Sequence, residues 1–240
     1  MSIAWVFPGQ GSQKIGMADS LVNLPGAKQR FDLASDLLGR DLLRICSESN
    51  TNESIGLADL NDTRNTQPAM FVVESIIVDD LFRQGRKPAL LAGHSLGEIT
   101  ALYAGKVFTA EQALKLLHIR SELMACAGGG AMTAILGFDR NELDDLVNSI
   151  EGVVIANDNS SSQVVLSGLP KAVEKVSKEL NCKRAIPLNV SGAFHSPYME
   201  EAAKSFSKEL NKVQFKNSEI PLLSNSEPIP TIEGEVLKER

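Results

Sequence analysis

Gly93-His94-Ser95-Leu96-Gly97 is the stretch that most restricts how this chain can fold. The apolar run at residues 88–92 reads as a buried strand, and residues 98–104 read as a helix. A serine on the sharp turn between them fits the G-x-S-x-G pattern. Small residues two before and two after let the backbone double back without a clash. The hydroxyl then stands at the tip, the amide of Leu96 can face an oxyanion, and the helix N-terminus adds positive potential. The same five residues also suit an ordinary strand–helix turn whose serine only caps the helix.

The pattern on either side extends this frame. Residues 3–7 form a short apolar strand stopped by Pro8-Gly9. Residues 17–60 read as broken helices with a polar loop at residues 50–53. Thr66-Gln67-Pro68 reads as a helix start, since proline is tolerated in a first turn. Phe71, Val73, Ile76, Ile77 and Leu81 follow at helical spacing, and Gly85 ends that helix. A further helix is expected over residues 110–125. Strand and helix alternate, as in a parallel sheet covered on both faces.

Beyond Gly128-Gly129-Gly130, which suggest a flexible join, the period changes. A strand at 131–136, a helix at 139–150, strands at 153–156 and 164–167, a helix at 170–180 and a strand at 184–188 give the order βαββαβ. The expected fold class is α/β: a hydrolase-like core with a parallel sheet, plus an inserted ferredoxin-like subdomain. The core takes residues 1–126 and 195–240, and the insert takes residues 127–194.

Composition narrows the function classes. A 43% apolar and 22% charged chain is ordinary for a globular protein, and its net charge of −6 argues against nucleic-acid or anionic-membrane partners. Cys46, Cys126 and Cys182 are scattered, with no CxxC pair, so neither a disulfide framework nor a zinc site is expected. A reducing, cytoplasmic setting follows. The N-terminus lacks the basic and apolar regions of a signal peptide. No apolar run nears the about 20 residues needed to span a bilayer. The sequons at Asn52, Asn61, Asn159 and Asn189 are then coincidental.

A serine hydroxyl needs a base at neutral pH. Of the three histidines, His94 flanks the serine on a turn where neighbours point apart, and His118 lies mid-helix at an amphipathic position. His195 lies in the loop Gly192-Ala193-Phe194-His195-Ser196-Pro197, beside small residues. Asp139, Asp144 and Asp158 read as a helix cap, a helix surface and a loop, so a Ser95–His195 dyad without an acid is the simpler expectation.

Three motifs now stand in order: Phe7-Pro8-Gly9-Gln10-Gly11-Ser12-Gln13, Gly93-His94-Ser95-Leu96-Gly97-Glu98 and Gly192-Ala193-Phe194-His195-Ser196. Together with Thr66-Gln67-Pro68-Ala69, residues 120–124 and residues 157–168, they resemble the malonyl-CoA:acyl carrier protein transacylases of bacterial fatty acid synthesis. Polyketide synthase acyltransferase domains share that fold. The resemblance implies a ping-pong transfer of malonyl from coenzyme A to an acyl carrier protein through an ester on Ser95, with His195 as base. It implies an oxyanion hole from the amides of Gln10 and Leu96. It implies that Arg120 binds the malonyl carboxylate, with Phe194, Met124 and Asn157 as further substrate-binding residues. A bulky Phe194 would crowd an α-methyl group and favour malonyl over methylmalonyl. No cofactor or metal is implied, and a monomer is expected.

The resemblance also implies a further helix and strand, with a glutamine near the histidine, beyond Arg240. The C-terminal part of the family fold is therefore expected to be missing here. Two other functions stay open at this point. One is a serine thioesterase using the same dyad with water as acceptor; the other is an impaired fragment that binds carrier protein. For Arg120 the alternative is a surface arginine paired with Glu122 or Glu111.

Overall fold

The computed structural model describes residues 2–47, 59–190 and 192–240. The polar loop expected at residues 50–53, with the Asn52 sequon, lies outside them. In chain order the elements are β1 (Ala4–Phe7), α1 (Ala27–Leu38), α2 (Leu42–Ser47), α3 (Thr63–Arg83), β2 (Leu90–Gly93), α4 (Gly97–Ala104) and α5 (Ala110–Cys126). Then come β3 (Ala131–Phe138), α6 (Arg140–Ser149), β4 (Val153–Ser160), β5 (Gln163–Gly168), α7 (Pro170–Glu179) and β6 (Cys182–Pro187). A 3-10 turn at Pro197–Met199, α8 (Glu200–Leu210), β7 (Leu222–Leu223) and α9 (Gly234–Glu239) complete the chain. Two compact units result: Met1–Ser121 with Lys208–Arg240, and Glu122–Ser207.

The first unit carries a parallel sheet in the order β1-β2-β7. Helix α4, which leaves the serine turn, is buried almost throughout, from Ile99 to Ala104. Helix α3 begins earlier than its proline suggests. Asp62 is the N-cap, accepting the Arg64 N–H at 2.9 Å, so the helix starts at Thr63 and Pro68 falls inside it. An internal proline leaves the carbonyl four residues back without its donor. Here that carbonyl, Arg64 O, accepts from the Arg40 guanidinium at 2.9 Å, which relieves the loss. At the other end Gly85 takes a left-handed φ of 74°, and the Gly85 and Arg86 amides close on Phe82 O and Leu81 O.

The second unit is an antiparallel sheet in the order β4-β5-β3-β6 with helices α6 and α7, the ferredoxin-like arrangement expected from βαββαβ. Its core is Ile135, Leu143, Val164, Leu166, Val173 and Val176. The triple glycine is not a free join: Gly128 forms an antiparallel bridge with Gly192, and a Cβ on Gly130 would lie 2.2 Å from the Ala193 nitrogen. Glycine serves close backbone approach there. Among the described residues no helix is long and apolar enough to cross a membrane.

One ionisable group sits against the grain of the first unit. Between β1 and α3 lies a cavity of about 440 Å³, lined by Trp5, Phe7, Met70, Val73, Ile77 and Glu74 among others. Glu74 is 7% exposed. Thr100 donates to its Oε2 at 2.5 Å, while its Oε1 has no partner among the described residues. Burial pushes the carboxyl up to about 7, with the Thr100 hydrogen bond pulling the other way. A raised acid favours the fold in its neutral form, so this contribution is full below the ordinary glutamate range and drains as pH rises through about 7. Urea denaturation at pH 5 and pH 8 should show Glu74→Gln gaining on the wild type by on the order of 2 to 3 kcal/mol over that interval. An unchanged difference would remove Glu74 as the cause.

Candidate active site

Ser95 stands where its flanking glycines require. Its φ is +51°, a left-handed conformation that non-glycine residues adopt at a cost of about 1–3 kcal/mol and that clusters at functional sites. A Cβ on Gly93 would lie 2.0 Å from the Gly97 carbonyl carbon, and one on Gly97 would lie 2.2 Å from Phe7 O. Both glycines are therefore demanded by backbone packed on backbone. The His94 amide donates to Phe7 O at 2.9 Å, which ties the turn to the end of β1.

That contact brings the N-terminal glycine loop to the serine. Gly9 is buried, and a Cβ there would lie 2.6 Å from His94 O. Gln10 follows directly, its side-chain oxygen accepting from the Thr63 hydroxyl at 2.9 Å. Leu96 is fully buried at the start of α4.

Arg120, on α5, completes the cluster in this unit. Its Nη2 donates to Ser95 Oγ at 3.2 Å and its Nη1 to Gln67 Oε1 at 2.5 Å. Gln67 in turn donates to Thr63 Oγ1 at 2.9 Å. One chain of hydrogen bonds thus runs from Ser95 through Arg120, Gln67 and Thr63 to Gln10. Burial lowers the Arg120 guanidinium to about 10, with Glu98 acting in the opposite direction, so it remains charged at neutral pH. Among the described residues it makes no ion pair. The pairing with Glu111 weighed from sequence is not made, since Glu111 binds Lys115 at 2.6 Å. A buried cation without a carboxylate favours a ligand that brings one.

Gln67 and Thr63 were not singled out as site residues from sequence, although Gln67 lies in a stretch that carried the resemblance. Their signal is weak, because polar residues in a helix start look like capping. Asn225 was missed altogether: its Oδ1 accepts the Ser95 amide at 3.1 Å.

The remaining sequence-predicted residues lie in the Glu122–Ser207 unit. Phe194 is 4% exposed, in an apolar cluster with Met132, Ala134 and Val165, against which Met124 packs. Asn157 sits on β4 at a register shift in its pairing with β5, where a bulge re-aims side chains. His195 is exposed and left-handed, with a φ of +56°. Ser196 beside it accepts the Tyr198 amide and donates to Ala193 O, fixing the turn. The three aspartates weighed as a third member are engaged within this unit. Asp139 caps α6, while Asp144 and Asp158 both bind Arg140, Asp158 from β4 rather than from a loop. His118 lies on α5 with a buried Nδ1 that has no partner among the described residues. No cluster of metal-ligating side chains occurs among the described residues.

Residues 4–239 match the acyl transferase domain family. A malonyl CoA-acyl carrier protein transacylase of Synechocystis sp. is 43% identical over 240 residues, covering all of this chain and 80% of that protein. The crystal structure of a Synechocystis sp. malonyl-CoA:ACP transacylase superposes with a TM-score of 0.93, again at 43% identity, over all of this chain and 79% of the solved one. A malonyl-transacylase solved in complex with its type II PKS acyl carrier protein superposes with a TM-score of 0.91 at 34% identity, over all of this chain and 79% of that one.

The strained turn predicts a stability signature. Ser95→Gly and Ser95→Ala both lose the Arg120 hydrogen bond, but only glycine is at ease at φ +51°. Ser95→Gly should be the more stable of the two by about 1 kcal/mol in denaturant titrations. Equal stability would mean that the turn carries no strain.

Proposed function

The chain belongs to the acyl transferase domain family, and from that premise we propose that it moves malonyl from coenzyme A to the phosphopantetheine thiol of an acyl carrier protein. The observation that carries this reading is the Arg120 guanidinium, charged, unpaired by any carboxylate among the described residues, and 3.2 Å from the Ser95 hydroxyl. A malonyl thioester presents a carboxylate two carbons from the carbonyl under attack. The planar fork of an arginine suits that carboxylate, and an acetyl group would leave the cation unanswered.

In this reading Ser95 Oγ attacks the thioester carbonyl as His195 takes its proton. The negative charge that forms on the carbonyl oxygen is held by the amides of Gln10 and Leu96, each such donor lowering the barrier by about 3 kcal/mol. Coenzyme A leaves as a thiol, receiving the proton from His195, and malonyl remains as an ester on Ser95. The carrier-protein thiol then gives its proton to His195 and attacks that ester; the Oγ–acyl bond breaks, and Ser95 Oγ takes the proton back from His195. Phe194, Met124 and Asn157 shape the acyl site. The chemistry needs no cofactor, since malonyl-CoA is itself the activated substrate. Fatty acid synthesis in the cytoplasm is the setting we assign, and the relatives include a polyketide-type enzyme.

Intact-mass measurement after mixing with malonyl-CoA should reveal one malonyl adduct, mapped to Ser95 and discharged by holo carrier protein. A folded chain that takes up no malonyl would end the proposal, and carrier-independent release of malonate at a comparable rate would convert it to a hydrolase. Arg120→Ala should slow malonyl transfer by about 10- to 100-fold, the worth of a charge-assisted pair, while sparing acetyl transfer. Equal loss with both donors would refute the carboxylate role.

A further inference from the structure

The amide of Ser95 has an unusual supplier of its hydrogen bond. The parallel ladder between β1 and β2 ends at Gly93, and α4 begins at Gly97, so neither regular element offers the Ser95 N–H an acceptor. Asn225 Oδ1 fills that role at 3.1 Å, from 130 residues away in the chain. Strand β7 makes this possible: Leu222 and Leu223 pair with Leu91 and Ala92, so the residues after β7 leave the sheet level with the serine turn. The side chain is itself held. Glu98 Oε2 accepts from the Asn225 backbone amide at 3.1 Å and also from its Nδ2. With the amide nitrogen committed to Glu98, the carbonyl end of the Asn225 side chain faces Ser95.

We propose that Asn225, oriented by Glu98, is a positioning residue that holds the Ser95 turn in its left-handed conformation and so sets the aim of the nucleophile. This inference rests on the reading of Ser95 as nucleophile. A turn at φ +51° persists only where surrounding contacts over-determine it, and the Asn225 bond is one that reaches the strained residue itself. Its removal takes this acceptor from the Ser95 amide and loosens the turn. A displacement of the hydroxyl by an ångström costs acylation about 100-fold without touching the groups that bind substrate. Asn225 is exposed and belongs to a loop whose own closure is made by others, Ser224 Oγ bonding Glu227 O at 2.9 Å. Its deletion therefore spares the fold.

The test is the pre-steady-state rate of malonyl-serine formation, followed by quenched-flow mass measurement on the full chain. Asn225→Ala should lower the maximal acylation rate by about 10- to 100-fold at an unchanged half-saturating malonyl-CoA concentration and a near wild-type melting temperature. Asn225→Asp keeps the acceptor but sets a second carboxylate against Glu98, so it should be slow at pH 8 and recover as pH falls. Adding Glu98→Gln restores a donor to that carboxylate and should return the rate to near wild type with the pH dependence gone. Wild-type acylation in Asn225→Ala, or no rescue in the double variant, overturns the inference while leaving Ser95 as nucleophile. Absence of a Ser95 adduct in the wild type overturns both.

Discussion

The site depends on one backbone-on-backbone contact, where the end of β1 meets the serine turn. Phe7 O accepts from the His94 amide at 2.9 Å and lies where any side chain on Gly97 would have to stand. Gly9 closes against His94 O from the other direction. No side-chain packing could bring two peptide chains so near, and the nearness sets Gln10 and Leu96 close to Ser95. The glycines of both motifs are thus one requirement expressed twice. That is why the motifs occur together in a chain where each alone is a weak pattern.

Electrostatics is the second constraint on the turn. A charged guanidinium beside a hydroxyl has no structural use that a neutral donor would not serve better, because burying it costs several kcal/mol unless something pairs with it. Arg120 is instead braced by neutral oxygens, those of Gln67 and Ser95. Neutral bracing orients the fork and leaves its charge unpaired by any carboxylate among the described residues. The Gln67–Thr63 link to Gln10 couples that orientation to the loop on the opposite side of the serine.

What could be read from sequence, and what could not, divides by range. The serine turn, the β-α alternation and the βαββαβ order are written in neighbouring residues, and the structure has them. A proline is a local signal and marks the start of α3 three residues late, whereas the bond that relieves it, from Arg40 to Arg64 O, spans 24 residues. The triple glycine suggested freedom because the bridge to Gly192 lies 64 positions on, and separation in sequence hides it. Glu74 interrupts an apolar helix, and only the packing of α3 against β1 shows its carboxyl to be buried. Asn225 is hidden most deeply, since a two-residue strand carries no periodicity.

The short β7 strand has a larger consequence than its length suggests. In parallel sheets the loops that do chemistry leave from the carboxyl ends of the strands. Here β1 ends in the glutamine loop, β2 in the serine turn and β7 in Asn225, three adjacent strands feeding one spot. Each loop contributes a different kind of group: a close-packed glycine backbone, a hydroxyl and a side-chain acceptor. Ser95 is held in a conformation it would not choose alone, and the acceptor bonds the amide of that same residue. Strain at Ser95 and the bond from Asn225 are two sides of one arrangement. The turn can be kept high in energy because the sheet, which is low in energy, fixes what opposes its relaxation.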